Sequence, residues 1–204
     1  MKYLYFLTLF LFLSMLSIGL LAQNKSIMQR TTLEVGGGYA TPLSPNHDIV
    51  ALSDYAGINN FYLGARFELN DLIGLRFTYG NTSFADKNDS SMGLTHHKLM
   101  AEGTLNIIEM IDVTRKSFEV IVHGGAGLSF GKSKQSSGID KMGTLQVGVM
   151  PLYRFTNNFA VHIDFLVVAN QKQNFFYDGG PSNPDNSHVS GQYFMVDLGV
   201  AYSF

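Results

Sequence analysis

The sequence contains no cysteine and no tryptophan, and only 5 prolines in 204 residues. Without cysteine there is no disulfide, no thiolate metal site, no cysteine nucleophile and no lipid-modified cysteine. Charge is also scarce. Asp, Glu, Lys and Arg make up 15 % of the chain, against about 25 % in an ordinary soluble domain. With 14 basic and 16 acidic residues the net charge is −2, so there is no basic footprint for a nucleic acid. Beyond Thr31 no sustained 3.6-residue apolar stripe occurs, which argues against a helical enzyme. What the chain does have is 46 % hydrophobic residues, 21 Gly, 16 Phe and 10 Tyr.

The one long apolar run is at the start. Met1-Lys2 supplies a positive charge, and Tyr3 to Leu21 is broken only by Thr8, Ser14, Ser17 and Gly19. Leu20-Leu21-Ala22-Gln23 then leads into polar Asn24-Lys25-Ser26. A charged start, an apolar stretch and a small residue at the exit read as a signal peptide over 1–22, cleaved after Ala22. An uncleaved anchor is the competing reading. Nothing downstream resembles a cytoplasmic domain, which favours cleavage and export of one domain, 23–204.

That domain alternates with period two, the strand signal. In the last segment Phe194, Val196, Leu198, Val200, Tyr202 and Phe204 share one face. Tyr193, Met195, Asp197, Gly199, Ala201 and Ser203 share the other. The same alternation predicts strands over Thr31–Ala40, Ile58–Leu69, Ile73–Phe84, Leu94–Asn106, Phe118–Phe130, Met142–Phe155 and Phe159–Val168, eight in all. Short connections (Asn70–Leu72, Thr156–Asn158 and the somewhat longer Ile107–Ser117) alternate with long polar ones (Thr41–Gly57, Ala85–Gly93, Gly131–Lys141, Ala169–Gly191). Long connections therefore gather at one end, short ones and both termini at the other.

Three features point to a closed, antiparallel, up-and-down transmembrane β-barrel. The polar face carries charges together with many glycines (Gly36, Gly38, Gly64, Gly74, Gly80, Gly148, Gly199), which suits a crowded lumen. Aromatics gather near strand ends: Phe118, Phe155, Phe159, Tyr202 and Phe204 at one, Tyr39, Phe61, Tyr79 and Phe130 at the other, as two interfacial girdles would. Tilted strands of about 9–11 residues span a bilayer. In lipid the sheet must close, because an open edge leaves backbone groups unpaired.

The final Val196-Asp197-Leu198-Gly199-Val200-Ala201-Tyr202-Ser203-Phe204 resembles the assembly signal of bacterial outer-membrane barrels, carried by Val200, Tyr202 and Phe204. Phe61-Tyr62-Leu63-Gly64-Ala65-Arg66-Phe67 and Gly74-Leu75-Arg76-Phe77-Thr78-Tyr79-Gly80 resemble the barrel of OmpA-like porin-family proteins. The Leu-Leu-Ala-Gln signal ending is similar to those of Bacteroidota. The resemblance implies a bacterial outer-membrane location, with lipid, lipopolysaccharide and the barrel-assembly machinery as partners. OmpA continues into a peptidoglycan-binding domain. This sequence stops at the barrel, so that tether is not implied.

An eight-stranded lumen is just wide enough to be filled by side chains. The interior set is expected to be an ion-pair network of Glu34, Arg66, Glu68, Arg76, Lys98, Glu102, Glu119, Arg154, Asp164 and Asp197, with His123 and His162 beside it. Arg66 and Arg76, on neighbouring strands, are its expected centres. Arginine suits bidentate pairing, and unpaired buried charges cost several kcal/mol each. A gated pore is the alternative; acids outnumber bases inside, so any leak would favour cations.

No enzyme is expected. His162 and Asp164 resemble half of the omptin protease arrangement, but those barrels have ten strands and rim sites. The His/Ser/Glu set of a lipid A deacylase is missing, since no Ser lies two residues after His123. His96 and His97 point to opposite faces and cannot chelate one ion together. Asp86, Asp89, Asp178 and Asp185 read as solvated loop acids. No catalytic, cofactor or metal site is assigned. The expected role is structural or adhesive, with Thr41–Gly57 and Ala169–Gly191 presented to a protein partner. A narrow porin, or a subunit docked through its lipid face to a larger complex, are the alternatives.

Overall fold

The computed structural model describes residues 30–45, 51–89, 91–111, 117–181 and 189–204. The expected signal peptide, the middle of the first long connection (46–50) and the tip of the last (182–188) lie outside these residues.

Alternating apolar residues form eight strands: β1 (Thr31–Ser44), β2 (Gly57–Glu68), β3 (Ile73–Ala85), β4 (Gly93–Asn106), β5 (Phe118–Ser133), β6 (Asp140–Arg154), β7 (Phe159–Gln173) and β8 (Val189–Ser203). Each pairs antiparallel with its chain neighbour, and β8 returns to pair with β1. The seam runs from Thr32 opposite Ser203 to Ser44 opposite Gln192, so every strand has two partners and no edge is left.

The alternation sorts residues as its period requires. Leu63, Val147 and Leu198 are 49 %, 56 % and 66 % exposed, whereas Arg76 is 1 % exposed. The apolar face is thus the outer face. Both sets of expected girdle aromatics lie on it; Tyr39, Phe61, Phe155 and Phe159 are all exposed.

The strands run further than the alternation predicts at the long-connection end. β1 extends to Ser44, β5 to Ser133 and β7 to Gln173, and β8 begins at Val189. Thr41–Gly57 and Ala169–Gly191 are correspondingly shorter as loops. Backbone pairing does not need apolar side chains, so the ladder outlasts the hydrophobic pattern. Lengths of 12 to 16 residues exceed the roughly 9–11 needed to span lipid.

One irregularity re-aims side chains. Gly38 pairs with Asn60, but Tyr39 pairs with Ile58, leaving Asn59 as an extra residue in β2. The bulge flips the parity of the strand on its long-loop side. Ile58 turns outward while Asn60 is buried. Among the described residues two short helical pieces lie in the connections: a single 3-10 turn, Leu52–Tyr55, and α1, Ile107–Ile111.

Candidate functional site: the barrel interior

The interior is built in layers, because each strand delivers every second residue to it. The charged layer lies towards the short-turn end. Arg76 on β3 is its hub. Its Nε donates to Glu34 Oε2 at 2.7 Å and its Nη1 to Asp164 Oδ2 at 3.1 Å, with Glu102 Oε2 at 3.6 Å. Glu34 also accepts from Arg66 Nε at 3.1 Å, so one carboxylate joins both arginines. His123 sits between two acids, Nδ1 at 2.7 Å from Glu102 Oε1 and Nε2 at 2.9 Å from Asp164 Oδ1. The Arg76 guanidinium also lies over the Tyr62 ring, 5.4 Å from its centroid.

A second, wetter group sits at the short-turn mouth. Arg154 pairs with Glu119 through Nε and approaches Glu68 at 3.7 Å; Arg66 Nη1 lies 3.4 Å from Glu68. These residues line a vestibule of about 500 Å³ that reaches Thr104 and Ile121.

Lys98 and Asp197 depart from the expected network. Both are buried in the lumen, yet neither forms an ion pair among the described residues. Lys98 donates to the amide oxygen of Gln146 and lies over the Tyr193 ring; Asp197 accepts from Asn60 Nδ2 at 2.7 Å. The cause is height. Lys98 pairs with Gly80 and Asn60 with Thr82 in the ladder, whereas Glu102 pairs with Arg76 further down. Sequence parity identifies a face but not which residues on it share a level. The neutral partners Asn60, Gln146 and Tyr62 were missed for the same reason.

His162 and Asp164 do not act as a pair. The Tyr62 hydroxyl bonds to His162 Nε2, while Asp164 serves Arg76 and His123. His96 is buried and His97 faces outward, bonded to the Tyr79 hydroxyl at 2.9 Å. Above the charged layer, the Thr144 hydroxyl lies 2.7 Å from Ser129 Oγ and 2.8 Å from Asn170 Oδ1.

The long-loop end is closed by aromatics, two of which the alternation did not announce. Tyr55, from the 3-10 turn in the first long connection, and Tyr177, from the last, pack into the mouth with Phe84 and Tyr193. Phe84 meets Tyr177 and Tyr193 edge-on, with centroids 4.8 and 5.3 Å apart, the favoured geometry for ring pairs. The Tyr177 hydroxyl donates to Gln192 O at 2.9 Å. Between this lid and the charged layer lies a cavity of about 10 Å³, room for about one water. Of the loop acids, Asp86 is half-buried and Asp89 exposed in the β3–β4 turn; Asp178, expected to be solvated, is instead buried beside the lid, and Asp185 lies outside the described residues.

A closed eight-stranded sheet, apolar outside and charged within, has the architecture of small outer-membrane β-barrels. Solved structures show the same fold. Neisserial surface protein A superposes with a TM-score of 0.56 at 12 % identity, covering 85 % of this chain and 97 % of that one. The attachment invasion locus protein Ail of Yersinia pestis gives 0.51 at 14 %, and the N-terminal barrel domain of OprF from Pseudomonas aeruginosa 0.50 at 15 %, each with the same coverage. No family model and no curated protein matches the sequence.

Proposed function

We propose that the protein is an outer-membrane barrel with a plugged lumen. Its short turns would face the periplasm and its long connections the cell exterior, after export by a cleaved signal peptide and insertion by the barrel-assembly machinery. Its role on this reading is structural or adhesive, not catalytic. The observation that carries the reading is the filled interior: Arg76 bonded to acids from other strands, under a lid of Tyr55, Tyr177, Phe84 and Tyr193. On this reading such a stack leaves solute no continuous route. Adhesion would rest with the loop residues outside the lid, since Tyr55 and Tyr177 are turned inward.

A narrow pore is the second reading, favoured by the vestibule that opens the short-turn end as far as Arg66. The deciding experiment has two arms. Refolding into vesicles, followed by a heat-modifiable shift on a gel, tests the membrane barrel; a protein that stays soluble without detergent would end that reading. Planar-bilayer recording then separates plug from pore. The plug predicts silence at moderate voltage, whereas steady cation-preferring current would establish the pore.

A further inference from the structure

The short-turn vestibule holds more acid than its own arginines match. Its charged lining is Arg66, Glu68, Asp71, Glu109, Glu119 and Arg154. Four of these pair with one another, Arg154 with Glu119 and Glu68, Arg66 with Glu68. Asp71, in the β2–β3 turn, and Glu109, on α1, have no ion-pair partner among the described residues. The opposite shortage lies deeper. The Arg66 side chain is 4 % exposed, and its Nη2 has no hydrogen-bond acceptor among the described residues. A buried donor left unpaired costs free energy, more so when it is charged. The vestibule therefore suits a guest that brings cations for its rim and an acceptor for Arg66.

The chain enters the barrel beside it. Arg30 Nη1 donates to Leu69 O at 3.3 Å, two residues before Asp71. Arg30 also lines a second recess, of about 420 Å³, that shares Glu68 and Arg154 with the vestibule. The two hollows adjoin, and the residues preceding Arg30 set out from their junction.

On the proposed cleavage after Ala22, the exported chain begins with 23–29, ahead of Arg30. That segment reads Gln23-Asn24-Lys25-Ser26-Ile27-Met28-Gln29, with Lys25 and the new α-ammonium as cations and no acid. Its amide and carbonyl oxygens are acceptors. Its reach is sufficient. Glu109 follows β4, three strands from β1, which is about 14–15 Å around the rim at the usual strand spacing. Five extended residues, the separation of Lys25 from Arg30, cover about 17 Å.

We propose that the amino-terminal segment 23–29 docks in the short-turn vestibule, with Lys25 between Asp71 and Glu109 and an oxygen of the segment on Arg66 Nη2. The proposal rests on cleavage after Ala22 and deepens the plugged reading, since it fills the end of the lumen that the vestibule leaves open.

The test is limited trypsin digestion of the exported barrel in detergent, with intact mass as the readout. Trypsin cuts after Lys25 where the segment is free. In the native protein that cut should be slower than in unfolded protein at matched trypsin activity. Asp71→Asn with Glu109→Gln removes two pairs of the exposed kind and should speed it by about fivefold. Salt at ~0.5 M should act in the same direction. Asp54→Asn with Asp89→Asn, a matched loss of charge at the long-loop end, should leave it unchanged. Heat-modifiable migration confirms that each variant is folded. A native cut as fast as the unfolded one, or an equal gain in the control pair, overturns the docking while the barrel stands. So does protection unchanged in the double variant, which would leave the two acids to Arg115 and Lys116, the next cations in the chain. A purified protein whose mass retains residues 1–22 overturns the cleavage reading, and the docking with it.

Discussion

Glu34 on β1 and Arg76 on β3 meet inside the barrel at 2.7 Å, reaching past the strand that separates them in the sheet. Both are buried. Removing one member of a buried pair strands the other, at a cost of about 3–5 kcal/mol. Arg76→Ala takes one cation from Glu34, Glu102 and Asp164 together, leaving Glu34 to Arg66 and the other two to His123, so it should lower stability by about that much. Urea unfolding of the refolded barrel measures it. Arg76→Lys keeps the charge without the fork and should fall between. A loss under about 1 kcal/mol for Arg76→Ala, the size typical of an exposed pair, would show that the hub does not support the fold.

Two glycines on adjacent strands should behave oppositely. A Cβ on inward-facing Gly125 would stand 2.0 Å from Ala101 O and 2.6 Å from the Cα of Glu102, whereas one on outward-facing Gly103 would meet nothing within 4 Å. The obstruction at Gly125 is backbone and cannot swing away. Gly125→Ala should abolish the heat-modifiable band; Gly103→Ala should leave it intact. A closed Gly125→Ala barrel would contradict the crowding of β4 against β5.

Tyr177 packs edge-on against Phe84 at 4.8 Å and hydrogen-bonds to Gln192 O. Truncating a buried aromatic costs about 3–5 kcal/mol. Because this one sits at the mouth, the effect should concentrate there. Hydrogen exchange in Tyr177→Ala should accelerate at the long-loop ends of β3 and β8 and stay slow around Arg76. Uniform acceleration along the strands would argue against a separable lid.

Phe204 donates its backbone N–H to Thr31 O at 3.2 Å, and its ring stands perpendicular to Tyr202 at 5.0 Å. These contacts are exposed, so Phe204→Ala should change refolding in vitro little. If the Val200, Tyr202 and Phe204 pattern is an assembly signal, the same substitution should reduce the folded fraction in cells severalfold, read on unheated gels of membrane fractions. Normal levels in cells would leave Phe204 a packing residue only.

Outside the sheet, Asp86 accepts hydrogen bonds from the backbone N–H groups of Asn88 at 2.6 Å and Asp89 at 2.9 Å. These donors hold its carboxyl below the ordinary value of 3.8, since hydrogen bonds to the ionised form favour it. The contribution to the turn is present above the unfolded pKa and is lost as pH falls through the lower folded value. An NMR titration should find Asp86 ionised below pH 4 and its turn loosening only in stronger acid. An ordinary titration would contradict the turn.

The inside and outside of the barrel were legible residue by residue. Glu34, Arg66, Glu102 and Asp164 all lie on the buried face that period two assigns. Partner identity was not, because pairing in a barrel depends on stagger. Glu102 stands level with Arg76, whereas Lys98, four residues from Glu102 on β4, stands higher, forms no ion pair with it and takes an amide instead. The lid was hidden for another reason. Tyr55 and Tyr177 belong to stretches rich in Asp, Ser, Asn and Gly, where polarity signals exposure, and no periodicity marks a residue that folds back. At Ile58 a bulge reversed the parity, which only the register between β1 and β2 reveals.

The hydrogen-bonded ladder fastens each strand to its two neighbours alone. The carboxylates and guanidinium around Arg76 fasten β1, β3, β4 and β7 to one another through the middle. They act as spokes, where the ladder acts as a rim. Flattening the cross-section or sliding one strand past its neighbour would stretch several spokes at once, so the ring resists ovalisation from within. A tube so braced holds its outline from its own interior.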